Sequence, residues 1–489
     1  MTMKNAGNND LSNKMQQHHH FQGAERTSAH VSMQRRLPAA IRTFIQYLLL
    51  LLIISTPATA NDSQASSHFL NLLGTSEAQH QSNLQYIDSN WHPGFVPMAL
   101  EILRFSDNRT LNNRLAELLS KHTGQNFGLS IKDWYRWQWK QAANPHPEYN
   151  LFKARLYEQI DPRFAAYFKT GKPQDIRLDE VRWGGVLQDG IPPLRQPKMI
   201  RATDRAARYL EDDNVVFGVA VNGDVRAYPQ RILAWHEMFI DTIGGIEYAG
   251  VYCTLCGSVV LYETHVKGTR HQLGTSGFLF RSNKLMYDKA TQSLWNSTWG
   301  KPVLGPLTGK GIQLKQGHVV TTTWGEWRRR HPETLVLSLE TGHKRDYGEG
   351  VAYKNYFATH KLMFEVPEKD NRLKNKDEVL ALRFPNNRDT LAIHDQYLLK
   401  HPIHHDKVGP QQLVVFTDNS GANRVYASKG LRFTTYNGDN IITDSRGQQW
   451  TLHEDKLEGA NGQILPRLPA RRAFWFGWFA AYNDTRLVK

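Results

Sequence analysis

The chain has 489 residues, of which 40% are hydrophobic and 22% are charged, and its formal net charge is +14. A chain of this length is too large for one hydrophobic core and should divide into two or three domains, and its composition excludes an intrinsically disordered protein. The positive charge is spread along the chain and no nucleic-acid-binding motif accompanies it. We therefore expect no nucleic-acid partner, and a solvated basic surface that suits proximity to an anionic membrane.

The first 60 residues are predicted to be a leader rather than part of the fold. A basic segment that begins at Met33 precedes an apolar run, residues 44–55, and small residues end the region at Ala60. This order of basic, apolar and small residues is that of a secretory signal peptide. We predict translation from Met33, cleavage after Ala60 and export to the periplasm. The alternative is an anchor in the inner membrane formed by residues 44–55.

Residues 61–175 are predicted to form a small α-helical domain. Leucines recur there with the three- and four-residue spacing of an amphipathic helix, at Leu111, Leu115, Leu118 and Leu119. This helix should end near Gly124, and the last helix of the domain should run from Asn150 to Tyr167. Short helices in this arrangement are similar to one or two HEAT-like repeats. The domain is therefore the predicted surface for a protein partner.

From about residue 176 the pattern changes to short apolar runs separated by turn residues, which indicates a β-rich region. Asn222-Gly223 lies between two such runs and predicts a hairpin. After Pro229 the pattern favours a helical segment from Gln230 to Ile243. A strand, a tight turn and a second strand should then follow.

The β-rich region contains an internal repeat. The residues that lead to His236 recur before His401, and the segment around the two cysteines recurs at residues 414–421 without them. The fold class is therefore predicted to be α+β, with a helical (HEAT-like) domain followed by two tandem copies of one β-rich unit. The predicted parts are the leader (1–60), the helical domain (61–175), the first copy (176–345), a linker (346–376) and the cysteine-free second copy (377–489). Because the second copy lacks cysteines, they should serve a site rather than the fold.

The chain has only two cysteines, Cys253 and Cys256, and they lie in the predicted tight turn. Two thiolates in such a turn suit a metal ion, for which His236 and Met286 would be the remaining ligands. Sulfur with histidine and methionine favours copper(I), and sulfur with histidine alone favours zinc. The alternative is a periplasmic thiol–disulfide oxidoreductase that cycles Cys253 and Cys256. A permanent disulfide across so short a loop would stabilise the fold little.

A second group of residues is predicted to line a pocket beside the cysteines because it combines hydroxyl, charged and aromatic side chains. The group consists of Arg226, Tyr228, Glu237, Ser276, Tyr287, Asp288 and Trp295. If His236 binds a metal, Glu237 is placed to orient its ring. A further alternative is a non-catalytic interaction protein that docks through the helical domain. The motifs of common hydrolases, zinc proteases and nucleotide-binding enzymes are absent from the sequence.

Several of these motifs together carry a resemblance to a known family. They are Arg226-Ala227-Tyr228-Pro229, Trp235-His236-Glu237, Val251-Tyr252-Cys253-Thr254-Leu255-Cys256-Gly257-Ser258, Thr275-Ser276-Gly277, Leu285-Met286-Tyr287-Asp288 and Ser293-Leu294-Trp295. In this order they resemble the bacterial domain-of-unknown-function family 3179 over roughly residues 178–489. Thr254 stands where the family usually has proline, and Asn296 where glutamine is common. The resemblance implies a family but no reaction, so whether the protein is an enzyme stays open.

Overall fold

The computed structural model describes residues 64–74, 76–169, 171–385 and 387–489. The predicted signal peptide, Met33 to Ala60, and the alternative anchor at residues 44–55 lie outside these residues. Within the described ranges no helix combines the length and apolarity needed to cross a bilayer. The predicted α+β class is confirmed, because helices between residues 64 and 167 precede a β-rich region.

The N-terminal helices pack around one apolar core that also receives side chains from the first large sheet. They are α1 (Gln64–Asn71), α2 (Glu77–Ser89), α3 (Val96–Phe105), α4 (Arg109–Thr123), α5 (Ile131–Lys140) and α6 (Tyr149–Glu158). Two 3₁₀ helices lie in this region, at Pro93–Phe95 and Pro162–Tyr167. Two more lie among the first strands, at Leu178–Glu180 and Arg205–Ala207. The helix predicted around Leu111 is confirmed, since Asn108 caps its start and Gly124 ends it with φ of 70°. The predicted last helix is shorter than expected, because Pro162 starts a separate 3₁₀ turn.

The strands up to residue 337 build three sheets and one short ribbon. The early strands are β1 (Val181–Trp183), β2 (Leu194–Arg195), β3 (Met199–Arg201), β4 (Val215–Val221) and β5 (Asp224–Pro229), followed by helix α7 (Gln230–His236). The middle strands are β6 (Met238–Ile243), β7 (Ile246–Cys253), β8 (Ser258–Glu263), β9 (His265–Val266) and β10 (Thr269–Arg270). The last are β11 (Leu273–Phe280), β12 (Asn283–Asp288), β13 (Leu294–Asn296), β14 (Lys301–Leu304), β15 (Val320–Thr323), helix α8 (Trp324–Arg330) and β16 (Leu335–Leu337).

After a short helix, α9 (Lys354–Phe357), the remaining strands build three more sheets. The first group is β17 (Glu378–Arg383), β18 (Thr390–His394), helix α10 (Asp395–Lys400), β19 (Ile403–Val408), β20 (Gln411–Thr417) and β21 (Asn423–Ala427). The second group is β22 (Phe433–Tyr436), β23 (Ile441–Asp444), β24 (Gln449–Leu452), β25 (Lys456–Gly459), β26 (Ile464–Pro466), β27 (Arg471–Phe474), helix α11 (Trp475–Ala481) and β28 (Arg486–Val488).

Two stretches of the β-rich region, residues 199–337 (the first unit) and 378–488 (the second unit), share a strand order. One sheet runs β15-β4-β5-β16 in the first unit and β27-β17-β18-β28 in the second. In both sheets the first three strands pair antiparallel and the last strand pairs parallel. Matching hydrogen bonds recur as well, since Trp327 donates its indole N–H to Thr334 and Trp478 donates its own to Thr485, each at 3.0 Å.

The two units meet through reciprocal contacts at matching places. The corner between β27 and α11 covers the turn at residues 253–257, the Cys turn, where the Phe474 N–H donates to the Cys256 carbonyl at 2.7 Å. The corner between β15 and α8 covers the turn at residues 418–422, the Asp turn, where the Thr322 and Ser420 hydroxyls lie 3.0 Å apart. Each unit therefore covers part of the turn of the other.

The predicted hairpin at Asn222-Gly223 is confirmed, and so is the strand–turn–strand around the cysteines. The predicted helix from Gln230 to Ile243 is wrong in its second half. It ends at His236 because Glu237 adopts a left-handed conformation with φ of 54°, and the chain continues as strand β6. The β-branched residues of β6 favour this extended conformation.

The segment between the units, predicted as a linker at residues 346–376, lies against the Cys turn. The Tyr356 hydroxyl donates to the Leu255 carbonyl at 2.7 Å. Tyr356, Val366 and the partly buried Phe364 pack in the same apolar cluster as both cysteines. This segment therefore forms one wall of the region that surrounds the thiols.

Candidate functional site

The Cys turn brings the two thiols together in a buried position. Cys253 ends β7, and the chain turns through Gly257, which has φ of 58°, before β8 begins at Ser258. Cys253 is 5% exposed and Cys256 is 1% exposed, and both are free cysteines. Their Sγ atoms lie 2.6 Å apart. The backbone thus holds the pair where a bond between the sulfurs would need little movement.

The two thiols differ in acidity. The pKa of Cys256 lies well above its ordinary value because the thiol is buried and lies beside Cys253. Burial acts on Cys253 in the same direction, yet its pKa is lowered. The Cys256 thiol can donate a hydrogen bond to an ionised Cys253, and the backbone N–H groups of Lys284 and Cys256 add to this effect. Cys253 is therefore the thiol that ionises first.

The hairpin turn between β11 and β12 holds Cys256 in place. The Cys256 Sγ atom lies 3.3 Å from the Ser282 carbonyl oxygen and 3.2 Å from Asn283 Oδ1. Asn283 is itself fixed, because its amide donates to the Gly477 carbonyl and its oxygen accepts from Thr298. Arg281 and Ser282 both have positive φ, 50° and 63°. Such backbone strain in non-glycine residues concentrates at functional sites.

A buried ion pair lies beside the Cys turn. Lys284 Nζ is 2.7 Å from Glu237 Oε2, and both side chains are largely shielded from water. The other carboxylate oxygen, Glu237 Oε1, accepts hydrogen bonds from Thr254 in the Cys turn and from Tyr353, each at 3.1 Å. Burial and the nearby carboxylate raise the pKa of Tyr353 well above its ordinary value. Glu237 thus joins the Cys turn to the segment between the units.

A cavity of about 660 Å³ opens at this ion pair. Glu237, Lys284 and Leu255 contribute to its inner wall. Five aromatic residues also line it, namely Trp235, Phe278, Tyr353, Tyr356 and Phe364. Two exposed apolar residues, Val351 at 38% and Met363 at 41%, also line it. The size and the mostly apolar lining are those of a small-molecule pocket.

The structure does not bring the four predicted metal ligands into one group. His236 is fully buried, and its ring nitrogens lie 2.9 Å from the Pro192 carbonyl oxygen and 2.6 Å from the Tyr347 hydroxyl. Met286 packs in a different apolar cluster from the cysteines, beside Trp295. Across the described ranges, no three His, Cys, Asp or Glu side chains are grouped as a metal site would require. The four residues predicted as copper or zinc ligands are therefore not grouped in the described residues, and metal binding stays a prediction.

Of the residues predicted to line the pocket, Glu237 contributes to the cavity. Arg226 and Tyr228 both contact Asp241, at 2.6 Å each, and support the core between β5 and β6. Burial and this carboxylate raise the pKa of Tyr228 well above its ordinary value. These two side chains act in the sheet of the first unit rather than at the cavity.

The remaining predicted pocket residues stabilise the sheet that contains β11 and β12. Ser276 donates to the Leu285 carbonyl at 2.6 Å, and its neighbours Thr275 and Gly277 line the cavity. Tyr287 donates to Asp189 at 2.5 Å. Asp288 accepts from Thr291 in the following turn, and Trp295 is fully buried beside Met286.

Sequence reasoning missed Lys284, Asn283 and Tyr353. Lys284 and Asn283 follow the strained turn of the β11–β12 hairpin, and Tyr353 lies in the segment predicted as a linker. A lysine directly before the apolar run Leu285-Met286-Tyr287 was a usable signal, since a buried lysine requires a partner. Glu237 could not be identified as that partner because 47 residues separate the two.

Fold and site together define an α+β protein that contains a buried pair of thiols between two similarly ordered β units. The family model described as "Protein of unknown function (DUF3179)" matches residues 188–485, which is more than half of the chain. The chain therefore belongs to the DUF3179 family, as the resemblance of its motifs indicates. Comparison with curated proteins finds no match, and neither does comparison with solved structures.

Proposed function

We propose that Cys253 and Cys256 form a thiol–disulfide redox centre in an exported protein. The observation that carries the proposal is the 2.6 Å separation of two buried Sγ atoms without a third metal-binding side chain grouped beside them in the described residues. The unequal acidity of the thiols supports it, because exchange begins with a thiolate and Cys253 ionises before Cys256.

The proposed reaction is exchange with a disulfide, R–S–S–R′, of a peptide or small molecule. The Cys253 thiolate attacks one sulfur, forms a mixed disulfide with R–S and releases R′–S⁻, which takes up a proton. Cys256 then loses its proton and attacks the Cys253 sulfur, which releases R–S⁻ and closes the Cys253–Cys256 disulfide. Two electrons pass from the protein to the substrate disulfide, and a dithiol donor restores the reduced pair.

Three finer points belong to this proposal. The first and second units are two copies of one unit, an inference supported by their shared strand order. The N-terminal helices form a HEAT-like surface for a protein partner. Export through the segment from Met33 to Ala60 would bring the thiols into an oxidising compartment, where a redox pair has a use.

The single-cysteine variants Cys253→Ser and Cys256→Ser test the reaction directly. Incubated with oxidised glutathione, Cys256→Ser should accumulate a mixed disulfide on Cys253, which intact-protein mass spectrometry detects. Cys253→Ser should accumulate much less, because the remaining thiol is buried and has a raised pKa. Equal labelling of both variants, or of neither, would contradict the assignment of Cys253 as the attacking thiol.

Two further measurements separate redox exchange from the other hypotheses. A reduction potential below about −300 mV would identify a structural disulfide rather than a cycling pair. Elemental analysis of reduced protein supplied with copper or zinc should find no stoichiometric metal. A metal that is retained by the wild-type protein and lost from the Cys253→Ser/Cys256→Ser variant would favour the soft-metal site instead.

A further inference from the structure

The cavity beside the Cys turn has a polar floor and apolar walls, and thiol exchange does not use it. We propose that it binds a neutral, largely apolar molecule that presents a carbonyl oxygen to Lys284. The proposal rests on the juxtaposition of a buried ammonium group that has unused hydrogens with an aromatic cavity of about 660 Å³.

The polar floor has hydrogen-bond donors to spare. An ammonium group carries three N–H donors, and within the described ranges Glu237 Oε2 is the acceptor that lies near Lys284 Nζ. Both oxygens of Glu237 are already engaged, because Oε1 accepts from Thr254 and Tyr353. A ligand at this floor therefore meets donors that need an acceptor. A carbonyl oxygen supplies one.

The charge of the floor selects a neutral group. Glu237 and Lys284 have opposite formal charges and form a pair with no net charge. Lys354 also lines the cavity, but its side chain is exposed, so water screens its charge. A carboxylate placed at Lys284 would be repelled by Glu237, and an ammonium group placed at Glu237 would be repelled by Lys284. In a buried site such repulsion is only weakly screened. A ketone, ester or amide satisfies the free donors without either penalty.

The walls select an apolar body. Phe278, Tyr356 and Phe364 present aromatic surface, and Leu279 and Leu285 add aliphatic surface. Val351 and Met363 are both exposed and line the cavity, so solvent-accessible apolar surface is continuous with its interior. A ring system or a short acyl chain would gain by leaving water for these walls.

A series of naphthalenes with one ring system and four head groups tests the choice of ligand. The probes are 2-acetylnaphthalene, 2-ethylnaphthalene, 2-naphthoate and 2-naphthylmethylammonium, titrated against the full-length protein by fluorescence or calorimetry. The ketone should bind about tenfold more tightly than the ethyl compound, because it adds a hydrogen bond to a charged donor. The two charged probes should bind more weakly than the ketone.

Lys284→Met should reduce ketone binding to the level of 2-ethylnaphthalene. Lys301→Met is the matched control, because Lys301 is only partly buried, pairs with Asp175 and does not line the cavity. Loss of Lys284 leaves Glu237 without its cation and could unfold the protein, so a second variant is needed. Leu279→Trp keeps the ion pair, places a larger side chain in the wall of the cavity and should weaken binding of every probe at an unchanged far-ultraviolet circular dichroism spectrum.

Each other outcome overturns the proposal. Equal affinity for the ketone and the ethyl compound would reduce the cavity to an unselective apolar space, and tightest binding of 2-naphthoate would identify a carboxylate site. Failure of all four probes to bind the folded protein would remove the site altogether. The Cys253→Ser/Cys256→Ser variant should bind the ketone as the wild-type protein does, so the ligand site and the redox centre can fail independently.

Discussion

The Cys turn and the Asp turn occupy matching places in two units of the same strand order, yet their chemistry is opposite. In the Cys turn two thiols are buried among apolar and aromatic side chains. In the Asp turn Asp418 contacts the fully buried Arg424 at 2.8 Å, and Arg424 contacts Glu454 at 2.7 Å. Arg467 also contacts Glu454, and Arg330 of the first unit lies 3.6 Å from Asp418.

This difference shows that the place of the turn within a unit does not determine which side chains fill it. The β strands, the covering corner and the tryptophan–threonine hydrogen bond recur in both units, whereas the turn is filled by charges in one and by sulfur in the other. A connected network of buried charges stabilises only as long as it is complete. Two thiols have no such requirement, which leaves them available for reaction.

The largest expected effect comes from breaking the charge network. Arg424→Met should lower the free energy of unfolding by about 3–5 kcal/mol, because it leaves Asp418 and Glu454 buried with fewer partners. Cys253→Ser/Cys256→Ser should lower it by less than about 2 kcal/mol, since a hydroxyl can use the same acceptors. Denaturant unfolding measures both. A larger loss from the cysteine variant would mean that the Cys turn is the structural one.

His236, the last residue of α7, should make the stability of the protein depend on pH. Burial, with smaller contributions from His343 and Arg345, lowers the pKa of His236 from its ordinary value of 6.5 to about 4. The unfolded chain binds a proton in this range and the folded chain does not, so the free energy of unfolding falls as pH drops from 6.5 to 4.

His236→Gln should flatten this dependence by up to about 3 kcal/mol. Denaturant unfolding of the wild-type protein and of His236→Gln at several pH values between 4 and 7 measures the difference. The same pH dependence in both proteins would contradict the assignment of this loss of stability to His236.

Glycine substitutions compare how tightly each turn is covered. Gly257 and Gly421 both have positive φ, which penalises alanine by about 1–2 kcal/mol. A Cβ atom on Gly257 would also lie 2.8 Å from the Phe474 ring, whereas one on Gly421 would lie 3.4 Å from Leu399. Gly257→Ala should therefore cost about 3 kcal/mol and Gly421→Ala about half as much. Equal melting temperatures for the two variants would contradict the tighter cover at the Cys turn.

The smallest expected change in stability comes from two matched variants, which test the similarity of the units rather than their difference. Thr334→Val and Thr485→Val each remove the acceptor of a buried tryptophan N–H. Each should lower the free energy of unfolding by about 1 kcal/mol, and by the same amount. A large difference between the two variants would indicate that the two hydrogen bonds contribute unequally to stability despite their equal lengths.

Sequence patterns predicted the parts of the fold that local rules determine. Leucine spacing and Gly124 defined α4, and Asn222-Gly223 defined the β4–β5 hairpin. The error at residues 237–243 arose because glutamate rarely adopts the left-handed conformation that ends α7. A glycine usually marks the end of a helix in a sequence, but the first glycine after α7 is Gly244, seven residues beyond Glu237.

The candidate site was predicted less well because it depends on distant contacts. The Cys turn was identified by its spacing, whereas its neighbours come from a hairpin 26 residues away and from the second unit more than 200 residues away. Met286 was placed beside the thiols, yet strand β12 presents Asn283 to them and directs Met286 toward Trp295. A single sequence contains no record of which strands become neighbours.

Gly477 determines how much of the chain is needed to transfer the Cys turn to another protein. It lies so close to Cys256 that an added Cβ atom would be 3.1 Å from the cysteine Cβ, and it belongs to the unit that has no cysteine. A fragment that ends at residue 340 would keep both thiols but lose the second unit, which covers them. Any transplant of this dithiol into another scaffold must therefore bring along two halves of the chain, of which only one contains sulfur at the site.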